Sequence, residues 1–224
     1  DIAQTAGYTV VDSSTVIANH LSQILKNNAA KLVGQDDVQQ LLDRLKINAP
    51  KLVENLIPSV MSLADVTRVI HNLLEEGVPI RDMKTIAETL SLQRGVGESP
   101  DDMTAQVRVA LGASIFQNVA GAAIELPVMV LDPQLEQIMS NAVQTNGGVI
   151  EPNLVDTVIT GIGEATGKME AEGASPVLLV SGTIRGFLAN LLRGRMANFY
   201  ILAYDEIPAD KKIRVVTTIG KQST

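Results

Sequence analysis

The sequence predicts an α+β molecule, a bundle-like helical block followed by a small α/β region, and three observations carry that prediction. Apolar residues recur at helical spacing from residue 35 to about 116. Beyond about residue 118, β-prone segments alternate with helical ones. At 224 residues and 46% hydrophobic composition, the chain is long enough to bury one or two cores.

The N-terminal stretch Gly7-Tyr8-Thr9-Val10-Val11-Asp12 is rich in β-formers, and Ser13-Ser14-Thr15 are good N-cap residues, so a short strand should turn into a helix. That helix carries Ile17, Leu21, Ile24 and Leu25 on one face and should end at Gly34. Val38, Leu41, Leu42 and Leu45 predict the next, and Asn48 before Ala49-Pro50 starts a short one. Ser62 with Asp65 resembles a capping box, opening a helix with Leu63, Val66, Ile70, Leu73 and Leu74 that Gly77 and Pro79 break. Asp82 caps the helix of Met83, Ile86, Ala87 and Leu90. Ser99-Pro100 starts the last helix of the block, marked by Met103, Val107, Ala110 and Leu111.

In the second region, 122–131, 175–180, 199–204 and 213–218 read as strands. Pro133 and Pro152 open helices, and Ile184, Phe187, Leu188, Leu191 and Leu192 mark the clearest amphipathic one. A largely parallel or mixed sheet follows from that alternation. The boundary between the regions is placed at 118–121.

Composition excludes several function classes. With 18 basic and 25 acidic residues the net charge is −7, a field that repels phosphate backbones and argues against nucleic acid as a partner. The absence of cysteine removes disulfides, thiolate zinc sites and Cys nucleophiles. Three Phe, three Tyr and no Trp are too few rings for a base-stacking surface. No apolar run reaches the roughly 18 to 20 residues that span a bilayer, and no signal-peptide pattern opens the chain. A soluble, excised piece is expected from the start at Asp1.

Partial chemical motifs have simpler explanations. Gly161 to Lys168 invites a P-loop reading, but Ile162 stands where the first Gly is needed and Met169 where Mg²⁺ needs a hydroxyl. His71 with Glu75 is a same-face pair with too few ligands for zinc; it reads as a helix-surface pair, and no metal or other cofactor is expected. Ser181-Gly182-Thr183 lacks the hydrolase elbow pattern, and an N-cap role for Ser181 or Thr183 accounts for the hydroxyls. An α/β enzyme or nucleotide-binding domain would hold its ligand at the strands' carboxyl ends near Gly182. A helical DNA-binding regulator would use 73–90 as a helix-turn-helix, against the weak basicity of Arg81 and Lys84 beside Asp82 and Glu88. No catalytic residue is assigned.

Three ordered segments carry a resemblance. They are Gly7-Tyr8-Thr9-Val10-Val11-Asp12 with Ser14-Thr15-Val16-Ile17-Ala18-Asn19-His20-Leu21; Asn72-Leu73-Leu74-Glu75-Glu76-Gly77-Val78-Pro79-Ile80-Arg81-Asp82; and Glu206-Ile207-Pro208 with Lys212-Ile213-Arg214-Val215-Val216 and Thr218-Ile219-Gly220. Together they resemble the signatures of the FHIPEP family, the flagellar and injectisome export-gate proteins, the last segment in its flagellar form.

The resemblance implies a non-enzymatic platform for protein export, cytoplasmic and attached to the bacterial inner membrane through a region absent from this chain, and assembled as a nine-membered ring. It divides the chain into a remnant of a truncated first α/β subdomain at 1–22, a helical subdomain at 23–118 and a C-terminal α/β subdomain at 119–224. It implies docking of export chaperone–substrate complexes, and contact with other export components including the ATPase complex. The chaperone dimple maps onto Val11, Val16 and Asn19, with Asn19 standing where the family usually has Thr. From the residues alone, Val11 and Val16 fit ordinary core packing at a strand–helix junction. Arg81 is expected to brace the turn and Asp82 to cap a helix, with ring assembly as a second role. Hinging between the regions is expected from a small mutual contact. Without its parent sheet, the strand at 8–11 is expected to fray or to pair with another copy.

Overall fold

The computed structural model describes residues 12–92, 99–145, 150–196 and 199–220. The expected strand at 8–11 and Val11 lie outside the described residues.

Helix α1 (Ser13–Asn27) is capped by Asp12, not by the serines that follow it. The Asp12 carboxylate accepts the Thr15 N–H at 2.8 Å and the Thr15 hydroxyl at 2.8 Å. Those bonds, the backbone one first, hold its carboxyl below the ordinary range. The helix stops earlier than Gly34, where the Asn28 side chain donates back to the Ile24 carbonyl at 2.9 Å. A single turn, α2 (Ala29–Leu32), follows, and Gly34 becomes the N-cap of α3 (Gln35–Asn48).

The block continues with α4 (Pro50–Leu56), α5 (Leu63–Glu75), α6 (Met83–Leu92), α7 (Pro100–Ala110) and α8 (Gly112–Ala120). Ser62 caps α5 by accepting the Asp65 N–H at 3.1 Å. Ser99 and Asp102 exchange bonds of 3.1 and 3.2 Å at the start of α7, a full capping box. Asn48 ends α3 instead of starting α4, whose N-cap, Ala49, offers no side-chain acceptor.

Strands β1 (Glu125–Leu131), β2 (Val177–Val180), β3 (Tyr200–Ala203) and β4 (Lys212–Ile219) form one sheet in the order β3-β2-β1-β4, every pairing parallel. Helices α9 (Pro133–Thr145), α10 (Pro152–Ala171) and α11 (Gly182–Leu192) link its first three strands.

Alternation along the strands splits the apolar residues between two cores. Met129, Leu131, Leu178 and Val180 pack with α9, α10 and α11. Leu126, Val128, Val177, Leu179 and Leu202 pack with the helical block. The parallel sheet is thus covered on both faces, as such sheets require, and the helical block is its third layer. The small contact expected between the two regions is therefore replaced by a shared core. Burying five side chains of this size contributes on the order of 10 kcal/mol, far more than an easily opened hinge could give up.

Candidate functional site

Val16 and Asn19 lie three residues apart on α1, where that spacing places side chains on one face. Both are exposed. Val16 belongs to a set of uncovered apolar residues on α1, with Ile17 67% and Leu21 54% exposed and Ile24 and Leu25 nearly half so. Within the described chain Val16 is not core, contrary to the packing expected at a strand–helix junction.

At the other expected site, Asp82 accepts the Thr85 hydroxyl at 2.7 Å and the Thr85 N–H at 3.0 Å. The hydroxyl bond and then the backbone bond hold its carboxyl below the ordinary range. Arg81 does not brace the turn: it is exposed and its guanidinium makes no hydrogen bond or ion pair among the described residues.

The positions relevant to the rival readings are occupied by local structure. Gly161 to Lys168 lies inside α10, not between a strand and a helix. The His71 Nε2 is 2.6 Å from the Val33 carbonyl, so it carries a proton and donates there, while Glu75 pairs with Arg193 at 2.5 Å. At the carboxyl end of β2 the Ser181 N–H, at the N-terminus of α11, donates to Glu136 Oε1 at 2.5 Å. An internal carboxylate thus fills the anion position of that helix. The Ser181 hydroxyl makes no capping bond and is buried without a partner, which departs from the expected N-cap. In the helix-turn-helix comparison, the second helix, α6, buries Met83, Ile86, Ala87 and Leu90 in the core.

A feature that sequence reasoning missed lies where the layers meet. Glu76 at the end of α5, Arg108 of α7, Arg185 of α11 and Glu206 of the 3-10 turn Tyr204–Glu206 form a four-member ionic network. Arg108 grips Glu206 through Nε and Nη2, each at 2.7 Å, and reaches Glu76 through Nη1 at 2.8 Å. Arg185 bonds Glu76 through both terminal nitrogens, the longer at 3.3 Å, and lies 3.7 Å from Glu206. Arg108 is 2% exposed, Arg185 4% and Glu206 2%. Burial opposes the charge on Arg108, but the hydrogen bond and charge of Glu206, then the charge of Glu76, outweigh it and raise its pKa. Two charges of each sign cancel, so burial leaves no net charge uncompensated. Glu76 and Glu206 both sit in the sequence segments that carry the family resemblance; their arginine partners sit in helices whose amphipathic pattern gave no sign of a buried cation.

Above this network opens a cleft of about 730 Å³ between the helical block and the β3 edge of the sheet. Arg108 and Glu76 line it, together with the α5–α6 turn, the end of α11 and the last part of α1.

The sequence profile of the FHIPEP family matches residues 1–212. The flagellar biosynthesis protein FlhA of Escherichia coli (strain K12) is 43% identical over 97% of this chain and 31% of its own length. The chain spans about a third of the curated relatives it matches. In fold, it is similar to Chlamydia pneumoniae CdsV, with a TM-score of 0.87 at 22% identity over 98% of this chain and 64% of that one. The solved CdsV and CdsO complex gives a TM-score of 0.85 at 23% identity, over 97% and 65% of the two chains. Nonameric EPEC SctV-C gives 0.82 at 23% identity, over 97% and 67%. Among the described residues, no helix is long and apolar enough to cross a membrane.

Proposed function

The chain belongs to the FHIPEP family, and on that premise we propose that it is part of the cytoplasmic platform of a flagellar protein-export gate, a non-catalytic surface on which export chaperone–substrate complexes dock. The observation that carries this reading is the exposure of Val16 and Asn19 together on one face of α1, a helix whose other apolar residues, Ile17, Leu21, Ile24 and Leu25, are uncovered as well. Large exposed apolar patches on a folded protein mark interaction sites, and the stretch around Val16 is one of the segments that carry the family resemblance. In this reading Val16 supplies an apolar contact and Asn19 a polar one in place of the family's usual Thr; Val11, outside the described residues, is assigned to docking by the resemblance alone. The nine-membered assembly of EPEC SctV-C supports a ring of the same order for the parent protein. Arg81 is the candidate ring contact, since Asp82 is already engaged as a cap. The CdsV–CdsO complex supports partner binding by this fold; contact with other export components including the ATPase complex follows from the family resemblance alone, and membrane attachment is assigned to parts of the parent outside this chain. The division of function is 1–22 for docking with an upstream subdomain, 23–118 for the helical scaffold and 119–224 for the α/β portion.

The test is calorimetric titration of flagellar late-substrate chaperone complexes into this chain and into a longer form extended N-terminally by the homologous region of a flagellar relative. Binding by the longer form alone, abolished by Val16→Glu, is the expected result. Equal binding by both forms would move docking away from α1, and binding by neither would overturn the flagellar reading.

A further inference from the structure

The cleft above the ionic network has a chemistry of its own, and α1 reaches it only at its C-terminal end, through Gln23 and Lys26, about 10–15 Å along the helix from Val16. Its lining mixes apolar and polar surface: Val78, Pro79 and Ile115 from the helical block and Leu192, Tyr200 and Leu202 from the α/β layer share it with charged side chains. Its charged lining is cationic in an acidic protein. Lys26, Arg81, Arg108 and Arg193 contribute four positive charges and Glu75 and Glu76 two negative ones, while the whole chain carries −7. At physiological salt a charge more than about 8 Å away is largely screened, so the local excess decides what approaches.

Both carboxylates are already engaged, Glu75 by Arg193 at 2.5 Å and Glu76 by Arg108 at 2.8 Å. Lys26 and Arg81 are exposed and make no ion pair or side-chain hydrogen bond among the described residues. Along one side of the cleft runs β3, an edge strand. The Tyr200 N–H donates inward to the Pro176 carbonyl at 3.1 Å, so the peptide groups of Ile201, one residue on, turn outward. The Ile201 carbonyl there accepts from Arg108 at 3.3 Å. A groove with apolar patches between polar ones, free cations at its rim and a strand edge alongside fits an extended polypeptide.

We propose that this cleft docks an extended segment of a partner protein in which carboxylate and apolar side chains alternate, the carboxylates pairing with Lys26 and Arg81 and the apolar side chains entering between Pro79 and Tyr200. The assignment does not depend on the α1 docking surface.

The experiment is a fluorescence-anisotropy titration of the full chain into a labelled peptide of alternating aspartate and leucine. Saturable binding is expected, weakened about tenfold or more when Lys26→Glu and Arg81→Glu are combined, the scale of a few exposed ion pairs lost and reversed. Val16→Glu should leave this binding unchanged, which separates it from the chaperone reading. Both rim residues are exposed and unpaired, so the variant should keep its fold, checked by circular dichroism. Amide shifts in nuclear magnetic resonance spectra should concentrate at 77–78 and 200–202. No saturable binding, equal binding of the peptide with asparagine in place of aspartate, or undiminished binding by the rim variant would each overturn the proposal. Self-association of the chain by sedimentation, lost on Lys26→Glu with Arg81 intact, would assign the cleft to a second copy and overturn it too.

Discussion

A β-carbon placed on Gly112 would fall well inside contact distance of the Glu206 carbonyl oxygen and 3.1 Å from the carbon of that carbonyl. Alanine would gain about 1 kcal/mol of helix propensity over glycine, but the atoms it meets are backbone and cannot rotate away. Gly112→Ala should therefore destabilise the chain by about 1–3 kcal/mol, read as a lower midpoint in urea unfolding; an unchanged or raised midpoint would show that the Glu206 turn can retreat. Asp82 poses the opposite kind of question, because its role was readable from the residues alone: a short carboxylate before Met83 caps a helix. Its folded pKa lies below the ordinary carboxylate value, so the cap contributes above that ordinary value and is lost as pH falls through the lower folded one. Asp82→Ala should cost about 1 kcal/mol at neutral pH, and the difference from the parent should shrink below about pH 4, where the carboxylate takes up its proton. A gap that stays constant down to pH 2 would rule out the charged cap. Gly112 could not be recognised in the same way, since its constraint comes from Glu206, a residue remote in sequence.

The elements show the same division between local and remote causes. Most helices of the block were legible because their caps and their 3.6-residue apolar spacing are local properties. The sheet was legible as strands with a largely parallel or mixed order. Its fully parallel pairing and its covering by the helical block depend on long-range packing that no single segment encodes. Val177 to Val180, buried on both faces, shows this: a continuous apolar run announces a strand between two layers without saying which helices form them. On α1 the apolar stripe of Ile17, Leu21, Ile24 and Leu25 was equally plain, but the core packing expected of Val16 at a strand–helix junction is not seen, since Val16 is exposed. That exposure has a measurable consequence. Val16→Glu removes an apolar side chain that is already 51% in solvent, so the stability of this chain should change by no more than about 0.5 kcal/mol. Chemical denaturation of the variant measures this directly. A larger loss would mean that Val16 is covered by something in this chain, and any loss of chaperone binding could then be a folding defect.

At the scale of the whole molecule, the apolar shared core explains why the layers adhere but not why they adhere in one register, since apolar surfaces of similar volume tolerate sliding and repacking. The four-charge network supplies directionality, because its members come from α5, α7, α11 and the turn after β3, and the complete set of bonds forms only when all four are in place. Removing one partner strands a buried charge. Arg108→Met should leave Glu206 without its bidentate partner and cost about 3–5 kcal/mol, the usual penalty for breaking a buried pair. Glu206→Met should be similarly costly, because Arg108 would keep only Glu76 and the Ile201 carbonyl. The double variant removes one charge of each sign and leaves Arg185 paired with Glu76, so its cost should fall short of the sum of the single costs by about 1–3 kcal/mol. A urea-unfolding cycle of the parent and the three variants measures that coupling. Additive losses would show that the charges act independently and that register is held by the apolar core alone. A double variant as stable as the parent, but with broadened nuclear magnetic resonance lines at the layer junction, would show that the network contributes orientation more than stability.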